Sequence, residues 1–297
     1  MKVLPALIFS FAALAAAGLQ AQADPPRRVV DGQTGETRPW AAMIDDLAQA
    51  DVVFVGENHD DPNTHKLELA MLQELSAKGR PVTLAMEMFE RDVQDPLLHF
   101  GMGHMDEAEF LKSSRPWPRY ATDYKPLVDF ANSKDLPVIA SNVPRPIASE
   151  VSKLGFAPLA TKSADEKRWF AADLQCPTGD DEYYRKFLEA MGTHPDASAD
   201  KFYFAQCVKD ETMGESIAQS YAIGSIGGKR PLILHVNGAF HSDFHYGTAS
   251  RTQRRLPGKR IAVVTVVPVA DISTPTPDAT ERRRGDYLVY TPAPIKK

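Results

Sequence analysis

Cysteine is nearly absent from this chain: Cys176 and Cys207 are the only two in 297 residues. A cysteine-rich disulfide scaffold is therefore excluded, and neither residue stands in the spacing of a metal-binding motif. Positive charge is not in excess either. Lys and Arg number 34 against 39 Asp and Glu, a formal net charge of −5, so the basic footprint of a nucleic-acid-binding protein is missing. Beyond Leu19 no apolar run is long enough to cross a bilayer. There is no internal repeat, which argues against a solenoid or a propeller.

What the first residues do carry is an address. Lys2 precedes the apolar stretch Val3 to Leu19, and Ala21-Gln22-Ala23 supplies small residues at cleavage-site spacing, the pattern of a secretory signal peptide over residues 1–23. No cysteine lies near the cleavage point to take a lipid anchor. The expectation is a soluble chain, periplasmic or secreted, with no transmembrane segment after cleavage. In such an oxidising compartment Cys176 and Cys207 are expected to pair. That disulfide would close a loop of about thirty residues, worth roughly 3 to 4 kcal/mol in the chain-entropy model.

The chain is organised around Asp51 to His59, DVVFVGENH. The unbroken apolar run Val52 to Val55 suits a strand buried on both faces. Gly56 then permits a sharp turn, and Glu57, Asn58 and His59 follow directly off the carboxyl end, where open α/β sheets bind ligands. The same grammar recurs. Val82 to Met86 is followed by Glu87, Val138 to Ser141 by Asn142 and Arg145, and Leu232 to Val236 by Asn237, Gly238 and His241. A polar loop after a strand is ordinary. Two acids and two imidazoles in matching positions are not, and parallel strands would bring Glu57, His59, Glu87 and His241 to one crevice.

Between and after these strands the pattern is helical. Asp60 or Asp61 can cap a helix that has Pro62 in its first turn and Gly79 just beyond its end. Its apolar arc, Leu67, Leu69, Met71, Leu72 and Leu75, also contains His65 and Glu68. An unpaired buried charge costs more than a buried leucine contributes, so these two need partners, one of which can be the other. Residues 155–228 lose the strand signal and are rich in aromatics. The fold class predicted is α/β: a mainly parallel sheet flanked by helices (24–154 and 229–270), a helical insertion or cap (155–228) and a peripheral tail (271–297) with one short strand candidate, Tyr287 to Tyr290.

Taken together, GENH at 56 to 59, His65, EMF at 87 to 89, Trp117 with Tyr124-Lys125-Pro126-Leu127, Ser141-Asn142-Val143-Pro144-Arg145, Ala205-Gln206 with Asp210-Glu211-Thr212-Met213, and Gly238 to His241 resemble the ChaN-like haem-binding uptake proteins. These are grouped with erythromycin esterases and the Tiki and TraB proteins. The resemblance implies haem as cofactor, a haem-induced homodimer, a haem-uptake machinery as partner, and iron held by a tyrosine with cationic side chains on the propionates. Tyr120 and Tyr124 are the candidate ligands, with Tyr183, Tyr184, Tyr203 and Tyr246 as alternatives; His59, His65, Arg145 and His241 are the other candidate cofactor contacts. The esterase and Tiki relatives imply a second reading, a hydrolase with His59 as general base and Glu57, Glu87 and His241 orienting water, stabilising charge or holding a divalent metal such as zinc or manganese.

Overall fold

The computed structural model describes residues 25–192, 194 and 196–294; the signal-peptide segment lies outside the described residues. The strands are β1 (Arg28–Asp31), β2 (Thr37–Arg38), β3 (Val52–Glu57), β4 (Val82–Glu90), β5 (Val138–Asn142), β6 (Leu232–Gly238), β7 (Ile261–Val269) and β8 (Tyr287–Pro292). They form one sheet in the order β2-β1-β8-β7-β3-β6-β4-β5. Every pairing from β8 through to β5 is parallel, while β1 runs antiparallel to both β2 and β8. The helices are α1 (Trp40–Leu47), α2 (Pro62–Ser76), α3 (Gln94–Gly101), α4 (Glu107–Ser114), α5 (Lys125–Ser133), α6 (Arg145–Leu154), α7 (Ala157–Ala160), α8 (Glu182–Met191), α9 (Ala197–Gly224), α10 (Gly247–Arg255) and α11 (Ala279–Arg282).

The strand period of two sorts the central apolar run into two cores. Val53 and Val55 join Leu84, Met86, Leu234 and Val264 under α1, α2 and α5, whereas Val52 and Phe54 join Ala85, Ile233 and Val263 under α9 and α10. Both faces are covered, which is why these strands read as continuous hydrophobic runs.

Helix α2 starts where the sequence says it should. The Asp61 side chain accepts from the Asn63 N–H, and Pro62 takes the first helical position, where its missing donor is harmless. Its buried Leu67, Met71, Leu72 and Leu75 contribute about 1.5 to 3 kcal/mol each. That sum offsets the desolvation of His65 and Glu68, which costs several kcal/mol per ion even when they are paired.

Two segments sit differently from the sequence expectation. Residues 271–297 were expected to be peripheral, yet β8 lies inside the sheet between β7 and β1, with Leu288 and Val289 fully buried. Its few residues had no periodicity to display beside a Pro- and Arg-rich approach. The stretch 155–228 is mainly helical, but the second half of α9 lies directly on the sheet, where Ile217 and Tyr221 pack with Val52, Phe54 and Ile233. Only its first half, with α8, builds a separate aromatic cluster of Tyr183, Tyr184, Phe187 and Tyr203. Cys176 and Cys207 are joined by a disulfide that ties the preceding loop to α9.

A candidate ligand crevice at the carboxyl edge of the sheet

Glu57 ends β3 in phase with Val53 and Val55, so it points toward α2 and α5. Its Oε1 accepts from the Tyr124 hydroxyl at 2.8 Å and lies 2.5 Å from His59 Nδ1. Its Oε2 is 3.4 Å from His65 Nδ1, which is in turn 3.2 Å from Glu68 Oε2. Burial alone would raise the Glu57 carboxyl; hydrogen bonds with His59 and His65 overturn that and bring it down to about 2. Burial would lower His65, but the Glu57 and Glu68 carboxyls push it up to about 11. Glu68, fully buried and beside the Glu57 charge, is raised well above the usual carboxyl range. The buried trio therefore reaches electrical balance through one imidazolium, one carboxylate and one carboxylic acid.

Glu87 belongs to the other face. The ladder from β4 to β5 shifts register between Met86 and Glu90, the kind of local irregularity that re-aims a side chain beside a site. Glu87 Oε2 accepts from the Gly238 N–H at 2.8 Å, and Oε1 is 3.4 Å from His241 Nε2. On the far side of that ring, Nδ1 is 2.8 Å from Asp210 Oδ1, which also accepts from the Thr248 hydroxyl. Asp210 Oδ2 accepts from the Tyr183 hydroxyl at 2.6 Å. Burial would lower His241, yet Glu87 and Asp210 push it up to about 10. Burial would raise Glu87, and His241, His59 and Lys209 hold it below the usual carboxyl range instead.

The two halves meet above the strand ends in a crevice of about 580 Å³ whose lining includes the polar Glu57, His59, Glu87, Lys209 and His241 and the apolar Trp117, Phe187, Met191 and Phe240. His59 is the imidazole most open to it, 47% exposed and edge-on to the Trp117 ring. Burial would lower it, but the Glu57 contact and the Glu87 charge raise it above the ordinary histidine range. A Cβ on Gly238 would come within 2.8 Å of His59 Nε2, so only glycine lets this ring lie across the end of β6.

The structure thus brings Glu57, His59, Glu87 and His241 together. It does not bring Tyr120, Tyr124, His65 or Arg145 to the crevice lining. Tyr120 is packed against Phe89 and Phe110, Tyr124 is spent on Glu57, and His65 lies beneath the floor. Arg145 is 70% exposed, its Nε 3.9 Å from Glu90. The Tyr183 and Tyr184 hydroxyls donate to Asp210 and Asp200, and Tyr203 is fully buried. Tyr246 lines an adjoining pocket of about 290 Å³ with Phe240 and Phe244. Sequence reasoning did not single out Lys209 and Asp210 as site residues. Asp210 and Glu211 are buried acids within the otherwise apolar face of α9, the same signal that marked His65 and Glu68 on α2.

A mostly parallel α/β sheet with acid–imidazole pairs at its carboxyl edge and aromatic side chains lining the crevice beside them defines a ligand-binding α/β protein. A family model narrows the class: the chain belongs to the haem-binding uptake proteins of the ChaN type in the Tiki superfamily, matched over residues 43–252. Among solved structures, "Cofacial heme binding to ChaN of Campylobacter jejuni" superposes with a TM-score of 0.61 at 18% identity, covering 89% of this chain and 96% of that one. Looser matches are the type III effector HopBA1 (TM-score 0.45, 12% identity, 85% of this chain and 92% of that one) and a Bacillus cereus protein (0.47, 10%, 84% and 90%). No curated protein matches.

Proposed function

We propose that this is an exported haem-binding protein of haem or iron uptake, with the carboxyl-edge crevice as the haem slot. Membership of the family supports haem as the ligand. The single observation that carries the placement is the apolar surface that Trp117, Phe187, Met191 and Phe240 contribute to the same slot as a half-exposed imidazole. A flat hydrophobic macrocycle needs such a surface, and its iron needs one donor.

The donor we assign is His59 rather than a tyrosine. With Glu57 on Nδ1, the Nε2 lone pair is left for iron once the ring is neutral, and a carboxylate behind the ring raises its basicity as a ligand. Tyr120 and Tyr124 are buried and Tyr124 already donates to Glu57, so neither offers a phenolate. Lys209 is the cation within the slot that suits a propionate. Haem bound there supplies a redox-active iron to be carried; the chain's own residues bind, orient and exclude water. Export rests on the leader-like residues 1–23 and on the disulfide.

Haemin titration followed in the Soret region tests both levels. The expected result is one haem per chain with an imidazole-type ferric spectrum that His59→Ala abolishes or weakens at least tenfold. A tyrosinate-type spectrum untouched by His59→Ala would overturn the ligand assignment, and no band above a haemin–albumin control would overturn haem binding itself.

A further inference from the structure

Beneath the crevice floor, Glu57, His65 and Glu68 each offer one ligand atom, and these atoms lie within 4.8 Å of one another. We propose that this trio is a divalent-metal site, separate from the haem slot, that takes a first-row cation such as zinc or manganese. The two distances to His65 are long for charge-assisted hydrogen bonds and also fit ligands around one metal. His65 Nδ1 stands 3.4 Å from Glu57 Oε2 and 3.2 Å from Glu68 Oε2, whereas an N⁺–H···O⁻ bond runs about 2.7 to 2.9 Å. Two ligands each about 2.0 to 2.1 Å from a tetrahedral zinc stand roughly 3.3 to 3.4 Å apart. The spacing matches a shared cation.

Two further observations point the same way. Glu57 Oε2 and Glu68 Oε1 are buried and have no hydrogen-bond partner among the described residues, although Glu57 and Glu68 are 2% and 0% exposed. Unsatisfied carboxyl oxygens at that depth are costly, and Glu57 Oε2 is the one turned toward His65 Nδ1 in the trio. The other side of His65 is also prepared. Nε2 lies 3.2 Å from the His59 carbonyl oxygen and 3.5 Å from Asp123 Oδ2, so it can donate there while a metal at Nδ1 takes the place of the Nδ1 proton. Metal-bound histidines are oriented in this way. One imidazole with two carboxylates is a mixed N/O set suited to zinc or manganese. Glu57 then has one oxygen on the metal and the other on His59 and Tyr124, which would make it a strut between the two sites.

The test uses haem-free protein, so that its outcome is independent of the haem proposal. Metal content is measured after purification, followed by titration with Zn²⁺ and with Mn²⁺ separately. The expected result is one metal per chain, with Glu68→Gln and His65→Asn each weakening binding at least tenfold while His104→Ala, at an exposed histidine away from the site, keeps the stoichiometry. Glu68→Gln is nearly isosteric and removes a group that burial disfavours as an anion. It should therefore melt no lower than metal-free wild type, which shows that lost binding is not lost folding. Absence of binding of both ions by wild type, equal binding by Glu68→Gln, or loss in His104→Ala would each overturn the proposal.

Discussion

Asp210→Asn is the sharpest perturbation of the site's lower half, because Asp210 alone holds three donors: His241, Thr248 and Tyr183. The substitution keeps the shape and removes the charge. His241 is pushed from its ordinary value near 6.5 up to about 10, a net gain of about 5 kcal/mol for the charged ring at 1.36 kcal/mol per unit. Glu87 and Asp210 share it, so losing Asp210 should cost about 2 to 3 kcal/mol at pH 6.5. In a domain of this size that is a fall in melting temperature of roughly 4 to 6 °C. Since the folded-state value is raised, the stabilisation is complete below about pH 6.5 and is lost as pH rises through about 10. Thermal and denaturant unfolding of wild type and variant at pH 6.5 and pH 10.5 should therefore show a gap that narrows by half or more. A gap below about 0.5 kcal/mol at pH 6.5, or one of equal size at both pH values, would refute the reasoning.

Three other outcomes follow from the same geometry. Glu57 is lowered to about 2, so its contribution is present above about pH 4.5 and is lost as pH falls toward 2, amounting to about 3 kcal/mol; Glu57→Gln should flatten the acid limb of a pH–stability curve. Gly238→Ala should displace the His59 ring, which a Cβ would approach to 2.8 Å; because that ring is half exposed, we expect stability to change by less than about 1 kcal/mol and haemin affinity to fall about tenfold, read by Soret titration and melting. Cys176→Ser paired with Cys207→Ala opens a loop with a sequence separation of 31 and should cost about 3 to 4 kcal/mol, checked by denaturant unfolding against oxidised wild type.

The sheet was legible because its strands are buried on both faces and so spell themselves as uninterrupted apolar runs. Val52 to Val55, Val82 to Met86, Leu232 to Val236 and Ile261 to Val267 all fall inside strands. Glu57, Glu87 and His241 were visible for the complementary reason: Glu57 and Glu87 interrupt such runs within β3 and β4, and His241 stands in the turn just after β6. What stayed hidden was lateral. Nothing in the order of residues says that the hydroxyl of Tyr124 arrives beneath Glu57 rather than above it, or that Asp210 of α9 lies behind His241. A tyrosine beside a polar crevice in sequence can face either core or slot, and the π-helical turn Tyr120–Tyr124 sends both of these phenols inward. The strand candidate Tyr287 to Tyr290 does fall within β8, but nothing in so short a segment says that it lies between β7 and β1.

The position of β8 has a kinetic consequence. Strand β1 hydrogen-bonds only to β2 and β8 within the sheet, and its partners Tyr287 to Tyr290 lie more than two hundred residues away along the chain. Closing so long a loop adds little to the entropic toll, which grows only with the logarithm of length, but it delays the encounter. The half of the sheet that carries the crevice faces the same delay, since β3 pairs with β6 across 181 residues, Val52 to Ile233. Refolding should accordingly be one slow event, with amide protection of Val53 to Val55 and of Val29 and Val30 rising together.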